Sequence, residues 1–455
     1  MRRLLPPLTI LLLLALCPIA NASRTQSLTF EGPRDFLDPA ARPAALQEVT
    51  SLGVRSLRMI LPWSAVAPGS DQAERPNFEP TDPAAYNWGE YEALLAAANE
   101  RGWPVLVTIS GPVPKWATAA KLDNLTRPDA TAFGAFTTAV GRKFGDQVNL
   151  WAIWNEPNQP QFLRPQFARG GQAESPKIYR SLYQAGVRGL NNAGQGDDTI
   201  LVAETSPRGN RNVVAPLRFL RGMLCLDSTY KKRKSCGALD ADGYAHHAYT
   251  TRQGPYFVPP QKDDVTIGVL SRLTTALDRA TAAGAFTKRL ALYLTEFGIQ
   301  STPDTQQGVS LVKQVENRAV SERIAWTNPR VAAFSQYLLR DSDPTGPKQY
   351  GGFESGLRFA DGKAKPSLNA FRLPLAVKQT GSKVSIWGLV RPATGATTAT
   401  ITYADRGSSG FKKLRDVTTD ANGYFVVSSA WRKGRRWNLT WQGFSGAPVA
   451  SYTGK

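Results

Sequence analysis

Short apolar or β-branched runs alternate with longer helical patterns along most of this chain, and that alternation limits the fold more than any other feature. The strand candidates are Ser27–Glu31, Val54–Leu61, Pro104–Ile109, Val148–Trp154, Thr199–Ala203, Ala241–His246, Leu290–Thr295 and Ala332–Leu338. Several, such as Val105-Leu106-Val107 and Leu290-Ala291-Leu292, are apolar throughout, as parallel strands buried on both faces must be. Helical patterns lie between them at Tyr91–Arg101, Thr131–Phe144, Pro176–Asn192, Ile267–Ala283 and Val309–Trp326. In the first of these, Tyr91, Leu94, Leu95 and Ala98 form one apolar stripe. Eight strands with intervening helices predict an α/β fold, a (β/α)8 TIM barrel over residues 23–373. An open doubly wound sheet has the same alternation, but no Gly-rich phosphate turn follows the first strand.

After Pro366–Leu373 the period changes to two. Lys383–Leu389, Thr398–Tyr403, Lys413–Val417, Tyr424–Ser428 and Trp437–Trp441 alternate and are divided by turn residues, most clearly Asp420-Ala421-Asn422-Gly423. Residues 374–455 are therefore expected to form a small C-terminal antiparallel β-sandwich. The formal net charge is +19 at pH 7, and this tail holds 12 basic against 3 acidic side chains. Arg432, Lys433, Arg435 and Arg436, between Trp431 and Trp437, admit two readings: contact with an acidic cell-wall polymer, or a solvated turn between two core tryptophans. The second is preferred. Nucleic acid is not an expected partner, because no reading motif is present.

Residues 1–22 have the parts of a signal peptide: Arg2 and Arg3, the apolar run Leu8–Leu16, and the small-residue site Ala20-Asn21-Ala22. The run is too short to span a bilayer and no later stretch is long enough, so a secreted chain without a membrane anchor is expected, as a monomer. A lipid on Cys17 is disfavoured by the bulky Leu16 before it. In an exported chain Cys225 and Cys236 are expected to pair as a disulfide closing the basic loop Lys231-Lys232-Arg233-Lys234. With only two histidines, adjacent on a strand and so facing opposite ways, neither a metal centre nor another cofactor is expected.

Two carboxylates stand out by position. Trp154-Asn155-Glu156-Pro157 puts Glu156 just past the fourth strand, and Leu294-Thr295-Glu296-Phe297-Gly298 puts Glu296 just past the seventh. Barrel active sites draw their reacting groups from the C-terminal ends of different strands. Two carboxyls facing each other there suit glycosidic cleavage, one protonating the leaving oxygen and the other attacking or supporting the oxocarbenium-like carbon. Glu31 and Glu204 also end strands and are weaker candidates for substrate contact.

The Asn-Glu-Pro after strand four and the Thr-Glu-Phe-Gly after strand seven resemble those of clan A of the retaining glycoside hydrolases, in particular cellulase-like family 5 and xylosidase-like family 39 enzymes. The resemblance spans residues 27–372. It implies Glu156 as general acid/base and Glu296 as nucleophile. It further implies Arg58 and Tyr249 as hydrogen-bond partners of the nucleophile, His247 as a substrate-side histidine, and Asn155 as the group meeting the sugar 2-hydroxyl. Arg55 competes with Arg58 for its role. The chain departs from the pattern in having no histidine in Ile109–Trp116 and no tryptophan in Phe334–Leu339, where Gln336 or Tyr337 is expected to substitute.

Trp63, Trp116, Trp154, Tyr256, Phe257 and Tyr337 are candidate sugar-stacking rings, Trp63 and Trp116 first because they fall beyond strand ends. The expected partner is an oligo- or polysaccharide. The competing readings are a catalytically inactive carbohydrate-binding protein on the same scaffold and a transglycosidase. A serine hydrolase is disfavoured by the lack of a Gly-x-Ser-x-Gly turn.

Overall fold

The computed structural model describes residues 26–233, 236–344, 352–408 and 410–454. The expected signal peptide, Cys17 and Lys234 lie outside them. Eight parallel strands close into a barrel: β1 (Ser27–Glu31), β2 (Leu57–Pro62), β3 (Val105–Ser110), β4 (Leu150–Ile153), β5 (Thr199–Thr205), β6 (Gly243–His246), β7 (Ala291–Leu294) and β8 (Val331–Tyr337). Helices follow most of these strands and cover the outside. Among them are Gly89–Asn99, Ala130–Phe144, Ser175–Asn192, Leu270–Ala282 and Leu311–Trp326.

Strand alternation divides the side chains into two cores. Val105, Val107 and Ile109 of β3, with Leu57, Met59 and Leu61 of β2, join the large cluster under the helices. Leu106, Ala152, Leu201 and Ala245 form a separate small cluster inside the barrel, against which Tyr293 packs. The interior has no room to spare at that level: a Cβ added to Gly243 would sit 2.4 Å from the Tyr293 ring. The same parity sends Arg58, between outward Leu57 and Met59, into the barrel interior. An arginine on a buried strand must find counter-charges there, and these turn out to build the site described below.

Helix Ala130–Phe144 starts where its sequence says it should. Asp129 accepts from the amides of Thr131 and Ala132, satisfying two otherwise unpaired donors.

The C-terminal sheet contains β9 (Leu375–Thr380), β10 (Lys383–Leu389), β11 (Thr398–Ala404), β12 (Lys412–Thr418), β13 (Tyr424–Ala430), β14 (Arg436–Trp441), β15 (Phe444–Ser445) and β16 (Val449–Tyr452). Their order is β12-β11-β14-β16-β9-β10-β13, with β15 paired to β14. The expected C-terminal sandwich is present and its pairings are antiparallel but for one: β16 runs parallel to β9, and that pair joins the two halves of the sheet. At the basic turn before β14, Arg432, Lys433 and Arg436 are exposed and Arg435 is buried. Trp437 is fully buried, Arg435 makes two bonds to Asp405 and lies 4.1 Å from the Tyr403 ring centroid.

A buried ionic triad ties this sheet to the barrel. Glu322, on helix Leu311–Trp326, accepts from Arg318 of the same helix at 3.1 Å and from Arg391 beyond β10 at 2.8 Å. Each arginine also lies on a ring, Arg318 over Phe334 and Arg391 over Phe371. Burial alone would push the Glu322 carboxyl up, but Arg391 and Arg318 together hold it below its ordinary value. Glu322→Gln would leave two buried guanidinium groups without their anion and is expected to cost about 3–5 kcal/mol. A lowered urea midpoint checks this; a midpoint within error of the parent would contradict it.

Cys225 and Cys236 are joined in a disulfide. No helix among the described residues is long and apolar enough to cross a membrane.

Candidate active site

Four glutamates, one arginine and one histidine meet at the C-terminal mouth of the barrel. Arg58 is 1 % exposed and is the hub. Its Nη1 donates to Glu31 at the end of β1 and, at 3.1 Å, to Glu296 beyond β7. Its Nη2 donates to Glu204 at 2.9 Å and to Asn155 Oδ1 at 2.8 Å, and its Nε reaches the second Glu204 oxygen at 3.3 Å. Burial disfavours the guanidinium charge, and Glu204, Glu31 and Glu296 more than restore it, so Arg58 stays protonated. Arg55, the competing arginine, is exposed and bonds only the carbonyls of Thr50 and Val54.

Backbone irregularities aim these side chains. Glu204 lies in a register shift between β5 and β6 at Ala203–Thr205, and a bulge of this kind re-aims a side chain that the pleat would otherwise direct elsewhere. Trp154, Glu156 and Glu204 have φ of 73°, 38° and 48°, the left-handed region that costs a non-glycine residue about 1–3 kcal/mol. Three such residues at the ends of adjacent strands are held by their surroundings: the Glu156 amide donates to the Glu204 carbonyl, and the Asn155 amide to Ser110 Oγ.

His247 stands between the two catalytic candidates. Its Nδ1 is 2.9 Å from Glu156 Oε1 and 3.6 Å from Glu296 Oε2, so one imidazole nitrogen faces both carboxyls. Tyr249 donates to the other Glu296 oxygen at 2.7 Å. His246 faces the opposite way, bonded to Thr205 and the Val265 carbonyl, and burial pushes it down to about 4, so it is a neutral structural group.

The carboxyls are not equivalent. Burial, with a smaller push from the Glu296 charge, raises Glu156 above its ordinary value despite its bond to His247. Burial opposes a charge on His247, but Glu296 and Glu156 outweigh it and raise the imidazole. Glu31 is pushed up to about 7, by burial first and by Glu296, against the pull of Arg58. A carboxyl raised above its unfolded value stabilises the fold below that unfolded value and loses the contribution as pH rises through the folded one. Glu31→Gln is therefore expected to flatten the decline in stability between about pH 4.5 and 7. Urea unfolding across that window reads it; parallel pH profiles for parent and variant would contradict it.

A cavity of about 530 Å³ opens over Glu31, Arg58, Asn155, Glu156 and Glu296, with Tyr337 and Phe353 on one side and Gln159, Gln161 and Phe162 on another. Asn155 spends its Oδ1 on Arg58, which leaves the amide nitrogen as the group to meet a ligand. The structure thus brings together Glu156, Glu296, Asn155, Arg58, His247, Tyr249 and Tyr337.

Three expected substrate contacts are corrected. Trp63 is fully buried, stacked on Phe136 and edge-on to Trp116, and neither tryptophan lines the cavity. The chain turns into the short helix Trp63–Val66 directly after β2, which carries the ring back into the core. Gln336 points outward from β8, where it accepts from Arg318 and donates to the Ser355 carbonyl. Of the remaining aromatic candidates, Trp154 is buried and bonds the Phe162 carbonyl, while Tyr256 packs on Tyr452. Glu31 and Glu204 were legible only as strand-end carboxylates; their shared hold on Arg58 is what places them in the site.

No family model matches the chain, and no curated protein matches it. Solved structures do. A glucosidase from Croceicoccus marinus is similar over 92 % of this chain and 95 % of its own, at 12 % identity and a TM-score of 0.56. A family 39 glycoside hydrolase from the gut symbiont Bacteroides cellulosilyticus WH2 is similar over 91 % of this chain and 80 % of its own, at 15 % identity and a TM-score of 0.53. At such identities the likeness is one of fold alone: a parallel eight-stranded barrel together with a C-terminal sheet domain.

Proposed function

We propose that the protein is a secreted retaining glycoside hydrolase that cleaves β-linked cell-wall glycan by double displacement. The observation that carries this reading is the pairing of Glu156 and Glu296 across one His247 nitrogen, inside a cavity on the barrel's reactive face.

Glu156, whose raised pKa keeps its proton, donates to the glycosidic oxygen as the bond to the anomeric carbon breaks. Glu296 attacks that carbon and forms a glycosyl-enzyme ester. Arg58 and Tyr249 each hold one of its oxygens, which fixes its angle of approach. Glu156, now anionic, takes a proton from water as the water attacks the same carbon from the leaving-group side. The ester bond breaks, and Glu296 and Glu156 return to their starting states. Asn155 is placed to meet the sugar 2-hydroxyl, a contact that strengthens in the transition state. The C-terminal sheet buttresses the barrel through the Arg318–Glu322–Arg391 triad.

A panel of aryl β-glycosides and cell-wall polysaccharides, with chromatographic analysis of products, tests this reading. Release of shorter sugars supports it. Binding without turnover across the panel would identify a carbohydrate-binding protein instead, and products longer than the substrate a transglycosidase.

A further inference from the structure

A second cavity, of about 670 Å³, lies in the helical layer between helix Ser175–Asn192, helix Pro216–Met223 and the loop closed by the Cys225–Cys236 disulfide. It shares no lining residue with the cavity over Glu156 and Glu296. One loop serves both: residues 157–174 bring Gln159, Gln161 and Phe162 to the active-site cavity, and Gln172 and Ala173 to this groove.

The groove is strongly basic. Lys177, Arg180, Arg218, Arg221 and Arg233 line it against a single carboxylate, Asp227. Glu174 answers Lys177 at 2.9 Å, and Asp263 takes two bonds from Arg221. Asp227 is spent on its own turn, where it accepts from the amides of Thr229 and Lys231. That leaves Arg180, Arg218 and Arg233, none of which forms an ion pair among the described residues.

Arg180 is the best placed of the three. It is half-buried, and its two Nη atoms donate to the carbonyls of Met223 at 3.0 Å and Gly237 at 2.6 Å. Those bonds fix the plane of the guanidinium and leave its remaining N–H donors unspent. Burial pushes Arg180 below its ordinary value, and it has no carboxylate to offset this as Asp263 does for Arg221. A partly desolvated cation of this kind gains from an anion, and the planar fork matches a carboxylate.

Between the charges the walls are apolar, formed by Ala173, Leu226 and the Cys225–Cys236 bridge. A bare inorganic anion would satisfy the arginines and leave that surface wet. A hexose carrying a carboxylate would cover both, its C–H face on the apolar wall and its acid on the guanidiniums. The active-site cavity offers such an acid nothing. Arg58 is the one cation among the described residues that line it, and Glu31, Glu204 and Glu296 already share that charge. We propose that the groove is a second carbohydrate site, in which Arg180, flanked by Arg218 and Arg233, holds the carboxylate of an acidic sugar. This rests on the glycosidase reading above for the ligand being a sugar, and names its class: a glycan bearing uronic acid.

Calorimetric titration of the full chain at low salt with D-glucuronate, D-glucose, acetate and inorganic phosphate tests this without turnover, since none of the four has a glycosidic bond. D-glucuronate is expected to bind at least about tenfold more tightly than the other three, the margin of one charge-assisted hydrogen bond. Arg180→Gln is expected to remove that margin. Arg218→Ala, at an exposed position where folding is not at stake, is expected to shrink it about twofold or more. Lys433→Ala, in the basic turn before β14, is the control and should leave it unchanged. Equal binding of glucuronate and glucose would overturn the proposal. So would equal binding of glucuronate and either acetate or phosphate, which would mean a site for the bare anion. A margin that both groove variants leave intact, or that Lys433→Ala removes as well, would also overturn it. The two readings fail separately. An Arg180-dependent margin in a protein that turns over no glycoside upholds the groove and rejects the hydrolase. Turnover of neutral glycosides without glucuronate binding does the reverse.

Discussion

On the proposed mechanism Glu296→Gln is expected to lower kcat by about 10⁴-fold or more on every substrate accepted, because this residue would form the covalent bond to the sugar. Glutamine keeps the size and can still accept from Tyr249 or Arg58, so substrate binding and folding should survive. Glu156→Gln has a different signature. Removing the proton donor is expected to cost about 10²–10⁴-fold on poor leaving groups, and far less on acidic phenols that depart without protonation. The parent should also lose kcat/KM on an alkaline limb lying above the ordinary carboxylate range, since Glu156 must be protonated and its pKa is raised. That limb should vanish in Glu156→Gln. Steady-state rates on a series of aryl glycosides of graded phenol acidity, across pH, measure all of this. Equal losses on good and poor leaving groups in Glu156→Gln would contradict the assignment.

The second large effect concerns Arg58. Its guanidinium is the counter-charge of Glu31, Glu204 and Glu296, all 7 % exposed or less. Arg58→Met keeps the side-chain bulk and strands those carboxylates, at an expected cost of about 3–5 kcal/mol near neutral pH. The sign of the pH dependence follows. Without the cation Glu31, already pushed up by burial, takes up its proton still more readily in the folded state than in the unfolded one, so the penalty should shrink as pH falls from 7.5 toward 5. Turnover should be lost as well, because the nucleophile is no longer held. The neighbouring Arg55→Met is the control; an exposed residue bonded only to two carbonyls should change stability by no more than about 0.5 kcal/mol. Urea midpoints at pH 5 and 7.5 decide it. An Arg58→Met protein as stable as the parent at pH 7.5 would contradict the network.

The barrel was legible because burying both faces of a parallel strand demands apolar runs, and covering them demands amphipathic helices. Ser27–Glu31 and Lys383–Leu389 stand where the pattern put them. β9 and β16 were missed: Leu375–Thr380 opens on three buried residues in a row rather than alternating, and Val449–Tyr452 is four residues long and meets β9 only across a long stretch of chain. Among site residues, Glu156 and Glu296 followed from strand-end position. That rule failed for Trp63 and Trp116, because a position beyond a strand does not say which way the chain turns next. Gln336 and Tyr337 are consecutive on one strand and therefore face opposite layers; parity alone allows one of them at the cavity, and it is Tyr337. The sharing of Arg58 by three glutamates from three strands is a tertiary fact with no local signature.

The central claim is that Glu156 and Glu296 act in sequence on one face-to-face pair of displacements. Proton magnetic resonance of the anomeric hydrogen, recorded in the first minutes of hydrolysis before mutarotation, tests it most directly. Two displacements predict a first-formed sugar of the same anomeric configuration as the bond that was cleaved. A first-formed sugar of the opposite configuration would mean a single displacement by water and would contradict the account.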